Sequence, residues 1–125
     1  MNAVRGGIDS IEHGILMNEQ CVEEMLEAGT YLVPTIAALQ NILAGADKVP
    51  EYVIEKTRRV SEAHERSFKM YYEAGGKIAM GTDAGTPFNT HGKNAQELRY
   101  ISEYGMTPMD AIIASTANAA DLMQL

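Results

Sequence analysis

Residues 77–92, KIAMGTDAGTPFNTHG, carry a short apolar run into an aspartate flanked by glycines and then into a loop that holds a histidine. The apolar segment KIAM leads through Gly81 and Thr82 to the aspartate. Asp83 follows in a cluster of small residues, where no bulky neighbour covers its carboxylate. A strand that ends this way places a charged group at its C-terminal tip. In parallel α/β architectures that is the end that carries chemistry. The bland reading of GTDAG is an N-cap or turn aspartate, a common role beside glycine.

Working outward, strand and helix patterns alternate. GGIDSIEHG (6–14) reads as a brief strand through Ile8 and Ile11 that closes near His13. Asn18 fits an N-cap ahead of EQCVEEMLEAG, with Val22, Met25 and Leu26 on one face and Gly29 as the left-handed stop. Tyr31–Val33 form a second β-prone run closed by Pro34, which cannot donate to a ladder. Residues 36–49 read as a short helix followed by a loop. Pro50 opens a long helix over EYVIEKTRRVSEAHERSFKMYYEAGG, with Val53, Ile54, Val60, Ala63, Met70 and Tyr71 as its apolar stripe and Gly75–Gly76 as its stop. His64 in that helix reads as a surface or helix-packing residue. KIAMGTD is the third strand. Asn94 and Glu97 have capping-box spacing, and Thr107, Pro108 and Asp110 head a last helix that runs, with a kink, through ASTANAADLM.

The βα, βα, βα order predicts parallel strands with helical crossovers, as an open sheet or as part of a closed barrel. At 125 residues one domain over 1–125 is expected. The net charge of -7, with scattered Lys and Arg, argues against nucleic acid. No apolar run approaches the roughly 20 residues of a membrane span, so no membrane role and a cytoplasmic location are expected. Cys21 cannot form an internal disulfide and reads as a small apolar group. His13 and Asp83 both end β-prone runs and can converge on one rim as metal ligands or acid–base groups. A lone strand-end histidine is also commonly a hydrogen-bonded structural residue. Thr82 either bonds to local backbone or orients Asp83, and His91, in its loop, either touches substrate or is simply solvated.

AVRGGIDSIEHG, YLVPT, GKIAMGTDAGTP and HGKNAQELRYISEYGMTPMDAIIASTANAA succeed one another across nearly the whole chain. In that order they resemble the C-terminal part of the barrel of the amidohydrolase superfamily, and most resemble its imidazolonepropionase-related and Xaa-Pro-dipeptidase-like branch. The resemblance implies a partial TIM (β/α)8 barrel of about three βα units, corresponding to strands six to eight. It implies that His13 is a metal ligand and that Asp83 is both ligand and acid–base group, with Gly81, Thr82, Gly85 and His91 at the mouth and His91 and Thr82 as substrate contacts. It further implies a divalent metal, zinc first, as one or two ions in the parent enzyme, and hydrolysis of amide or peptide bonds, of dipeptides first.

The departures define a second expectation. The H-x-H pair, the metal-bridging lysine and the strand-five histidine of the superfamily have no counterpart among this chain's three histidines. The sequence therefore reads as an incomplete piece of a larger enzyme. Alone it is expected to bind metal weakly, to have little activity, and to form homo-oligomers or associate through open sheet edges. The alternatives are a non-catalytic α/β interaction domain and, among enzymes, a cyclic amide hydrolase or deaminase.

Overall fold

A computed structural model describes all of residues 1–125. Its elements are α1 (Asn2–Arg5), β1 (Ser10–Glu12), α2 (Glu19–Ala28), β2 (Tyr31–Val33), α3 (Ile36–Ala44), α4 (Glu51–Glu73), α5 (Gln96–Glu103), α6 (Pro108–Ser115) and α7 (Ala117–Leu122). A single 3-10 turn, Ala46–Lys48, follows α3. β1 and β2 pair in parallel with Ser10, Ile11 and Glu12 opposite Tyr31, Leu32 and Val33.

The third strand is thinner than its sequence suggests. Residues 77–79 run alongside β2 with only one parallel bridge, Leu32 to Ile78. Leu32 N–H donates to the Lys77 carbonyl at 2.8 Å, and Ala79 N–H donates to the Leu32 carbonyl at 3.0 Å. On the outer side no strand continues the sheet, and the C-terminal helices take over the hydrogen bonds. Met80 N–H donates to the Ala114 carbonyl at 2.9 Å, and Asn118 Nδ2 donates to the Ile78 carbonyl at 2.8 Å. Backbone polar groups at a sheet edge need partners, and here helix residues provide them.

Local signals place most helix ends. Asn18 accepts from Cys21 N–H at 2.9 Å, and Gly29 closes α2 in the left-handed region at φ 68°. Thr107 caps α6 by accepting from Asp110 N–H, with Pro108 in the first turn. The kink expected in the last helix is a break at Thr116, which separates α6 from α7. The capping box of Asn94 and Glu97 does not form. Glu97 turns its carboxylate to a different helix, and α5 starts without a side-chain cap.

The core lies between the short sheet and the helices, around Met25, Leu32, Ile36, Phe68, Tyr71, Ile78 and Ile101. Each such apolar side chain contributes about 1.5–3 kcal/mol by leaving water. α4 packs a more polar face than its apolar stripe implies: Ile54, Thr57, Ser61, His64, Ser67, Phe68 and Tyr71 are buried, while Val53, Val60, Ala63 and Met70 are only half-buried. Most polar members of that face find partners. Ser67 Oγ donates to the Ile15 carbonyl at 2.7 Å and accepts from Met17 N–H at 3.1 Å, which holds the segment after β1 against the helix. Ser61 Oγ and Tyr104 Oη lie 3.0 Å apart. His64 is not a surface residue: it is 1% exposed and packs edge-on against Tyr104. Cys21 is free and half-buried against the core, as expected.

Candidate functional site

Three neighbouring parallel segments end in the same unusual way. The first residue beyond β1 is His13, at φ 66°; the second beyond β2 is Thr35, at φ 53°; and the 77–79 segment leads to Asp83, at φ 52°. Left-handed backbone is uncommon away from glycine and is a true outlier for a β-branched residue such as Thr35. Strain of this kind costs on the order of 1–3 kcal/mol per residue and persists only where surrounding contacts enforce it.

Those contacts are visible. His13 N–H donates to the Val33 carbonyl at 2.9 Å, which extends the ladder one step past β1. Its ring Nδ1 lies 2.6 Å from Thr35 Oγ1, and the hydroxyl also donates to the Pro34 carbonyl at 2.7 Å. Beyond Thr35, the buried carboxylate of Glu97 accepts from Ile36 N–H and Ala37 N–H, both at 2.7 Å. A helix start has unpaired N–H groups and a partial positive charge, so a carboxylate suits it. Burial nevertheless dominates and pushes the Glu97 carboxyl up to about 7, against the two N–H bonds that favour its charged form. Gly81 makes room beside Thr35. A Cβ there would stand 2.4 Å from Val33 Cγ1 and 3.7 Å from Thr35 Cγ2.

The Asp83 loop is held by an asparagine. Asn89, 4% exposed, donates from Nδ2 to the Thr82 carbonyl at 2.6 Å and to the Asp83 carbonyl at 3.1 Å. Its own carbonyl accepts from Gly85 N–H at 2.8 Å. Thr86 Oγ1 also donates to the Asp83 carbonyl, at 3.0 Å. The bonds from Asn89 and Thr86 that reach Asp83 go to its backbone carbonyl, so its exposed carboxylate stays uncommitted. His13 is likewise exposed, with Nε2 outside any hydrogen bond.

Thr82 is buried and joins this network through its carbonyl. His91 is exposed beside Gly85, where a Cβ would lie 3.8 Å from its Nε2. Behind the rim stands His64, whose two ring nitrogens are both buried without hydrogen bonds. Burial lowers its pKa to about 4, and the adjacent backbone of His13 and Pro34 offsets only part of that.

An imidazole nitrogen and a carboxylate, both unpaired and both at the C-terminal end of the sheet, are donors that suit zinc and similar divalent cations. The donor chemistry therefore fits a metal. The number of donors does not complete a site: no group of three or more His, Cys, Asp or Glu side chains is placed to hold an ion. Sequence reasoning places His13 and Asp83 just beyond parallel segments, and the structure has them there. The same reasoning gives Glu97 a local capping role, leaves His64 between surface and helix packing, and does not single out Asn89. The Glu97 and His64 contacts are long-range, and the only local hint of Asn89 is an asparagine in a glycine-rich loop.

The chain is similar to several known proteins over most of its length. It is 33% identical over 121 residues to ochratoxinase of Aspergillus niger, which covers 95% of this chain and 24% of the relative. It is 34% identical over 119 residues to an uncharacterised protein of Mycobacterium tuberculosis, covering 93% of this chain and 32% of that one. Among solved structures, it superimposes on a Xaa-Pro dipeptidase with bound methionine in the active site with a TM-score of 0.84 and 40% identity, over 98% of this chain and 30% of the other. The ochratoxinase structure gives a TM-score of 0.82, over 96% and 27%. The fold is thus the mixed helix and strand arrangement of these proteins, and the chain spans between about a quarter and a third of their length. The sequence profile described as Amidohydrolase family matches residues 1–125, and the chain belongs to that family.

Proposed function

We propose that this chain forms one side of the active site of a metal-dependent hydrolase of amide or peptide bonds, of dipeptidase type. In this reading β1, β2 and the 77–79 segment correspond to barrel strands six, seven and eight. The observation that carries it is the left-handed turn at His13, Thr35 and Asp83, which brings an unpaired imidazole nitrogen and an unpaired carboxylate to one end of the sheet.

His13 through Nε2 and Asp83 through its carboxylate would hold a divalent cation, zinc first. When bound, that ion supplies Lewis acidity toward the scissile carbonyl and the attacking water. Asp83 takes the proton that the water releases as it attacks, and returns it to the nitrogen of the leaving amine as the C–N bond breaks. A carboxylate with no other hydrogen bond to break is free to make both transfers. His91 and the Thr82 backbone line the approach and contact the substrate. Catalytic zinc takes three protein ligands and a water, so the ligands beyond His13 and Asp83 would come from segments of the relatives that this chain does not span. The substrate class draws on the Xaa-Pro dipeptidase among the similar proteins.

The test is a chimera in which this chain replaces the equivalent third of the similar Xaa-Pro dipeptidase. It should hydrolyse dipeptides, and His13→Ala or Asp83→Asn should abolish turnover while leaving the circular dichroism spectrum intact. A folded chimera whose activity survives both substitutions would overturn the proposal.

A further inference from the structure

We infer that Thr35 is a positioning residue that holds His13 as its Nδ1–H tautomer and so presents the Nε2 lone pair at the rim; the inference rests on the reading of His13 as a ligand. A threonine hydroxyl has one proton. In this structure Thr35 Oγ1 lies 2.7 Å from the Pro34 carbonyl, which can only accept, so the proton points there. The contact of 2.6 Å to His13 Nδ1 then leaves the ring nitrogen as donor and the hydroxyl oxygen as acceptor. A neutral imidazole carries one N–H, so Nε2 is left with its lone pair. The opposite tautomer would turn the hydroxyl proton to Nδ1 and take that hydrogen bond from the carbonyl of the fully buried Pro34, leaving only the His64 ring near it. Unpaired buried carbonyls are costly.

The rest of the neighbourhood fixes Thr35 for this task. Its left-handed backbone, at φ 53° and ψ 43°, is unfavourable for a β-branched side chain. Glu97 anchors the next two N–H groups, and Gly81 leaves space for the threonine methyl. The strand-end residue between the two proposed ligands therefore has a function without touching a metal. Partners of this kind orient ligand histidines and fix their tautomer.

The experiment reads the 15N and 1H correlations of the three imidazoles in the metal-free chain at pH 8.5, with His13 assigned by substitution. His13 should show a protonated Nδ1 and an unprotonated Nε2. Thr35→Val should move it to the Nε2–H form that free imidazole prefers, and Thr35→Ser should restore it. A zinc titration on the same samples should place the midpoint of the His13 response roughly 10- to 100-fold higher for Thr35→Val and near wild type for Thr35→Ser. A wild-type His13 already in the Nε2–H form overturns the inference without need of any variant, as does a folded Thr35→Val that leaves the tautomer unchanged. If the tautomer is as stated and saturating zinc leaves His13 unmoved, the ligand reading fails while Thr35's control of the ring stands.

Discussion

Glu97 and Ile36 are joined by a hydrogen bond of 2.7 Å between a fully buried carboxylate and the first N–H of α3. With the parallel bond to Ala37, this pair pins the helix that begins just after Thr35. An ordinary intramolecular hydrogen bond contributes about 0.5–1.5 kcal/mol, and an unpaired buried donor costs about 1–3 kcal/mol. Glu97→Ala should therefore destabilise the fold by roughly 3 kcal/mol, and Glu97→Gln by less, since one acceptor oxygen remains. Urea denaturation of the three proteins checks this, and equal midpoints for wild type and Glu97→Ala would contradict it.

The two buried titratable groups should give opposing pH dependences. Glu97 has its pKa raised from 4.5 to about 7, so its contribution is fully present below pH 4.5 and is lost as pH rises through 7. His64 has its pKa lowered from 6.5 to about 4, so its contribution is present above pH 6.5 and is lost as pH falls toward 4. A tenfold change in proton affinity is worth about 1.4 kcal/mol, which makes each effect on the order of 3 kcal/mol. Between pH 4.5 and 6.5 they offset each other. His64→Phe should unmask a fold that weakens with rising pH, and Glu97→Gln one that weakens with falling pH. Melting temperatures of both variants across pH 4 to 8 read the two slopes, and slopes of the same sign would refute the assignment.

Gly81 should resist any side chain. A Cβ there would meet Val33 Cγ1 at 2.4 Å, on the strand that leads into Thr35. Gly81→Ala should cost about 1–3 kcal/mol by overpacking and should also disturb the His13 to Thr35 contact. Thermal denaturation gives the first effect and the His13 imidazole spectrum gives the second. An unchanged melting point would show that the site is looser than the structure describes.

What the sequence makes legible depends on how far apart the interacting residues lie. The caps at Asn18 and Thr107 and the stop at Gly29 involve neighbours within four positions, and the sequence displays them directly. The strand-end positions of His13 and Asp83 are legible because a strand end beside glycine is a local pattern. The spacing of Asn94 and Glu97 suggests a local pair, but the true partners of Glu97, at Ile36 and Ala37, lie some 60 positions distant. The charged residues around His64 leave a surface and a helix-packing position both open, and packing against Tyr104 and the strand ends decides for burial. The third strand is visible as a β-prone run. Its single bridge is not, because Asn118 and Ala114 from the C-terminal helices take its outer hydrogen bonds.

That arrangement bears on self-association, which we propose for the chain on its own. Asn118 occupies the outer edge of the 77–79 segment by donating to the Ile78 carbonyl. Ser10 and Glu12 lie on the other edge strand, β1, whose only paired neighbour is β2. An unpaired edge is a template for pairing with another chain. The chain should sediment as a concentration-dependent oligomer, and Asn118→Ala, which frees a second edge at a cost of about 1 kcal/mol, should shift the distribution to larger species. A variant that sediments as a monomer like a monomeric wild type would contradict both expectations.

His13 and Asp83 are proposed above all to grip one cation. Paramagnetic broadening by Mn2+ tests this most directly, because it reports distance to the ion even when binding is weak. Added to the 15N-labelled chain, Mn2+ should broaden the amide signals around His13 and Asp83 first and together, and zinc should displace the effect. Broadening that starts instead at acidic helix faces such as Glu23–Glu27, and leaves His13 and Asp83 sharp, would contradict the shared site.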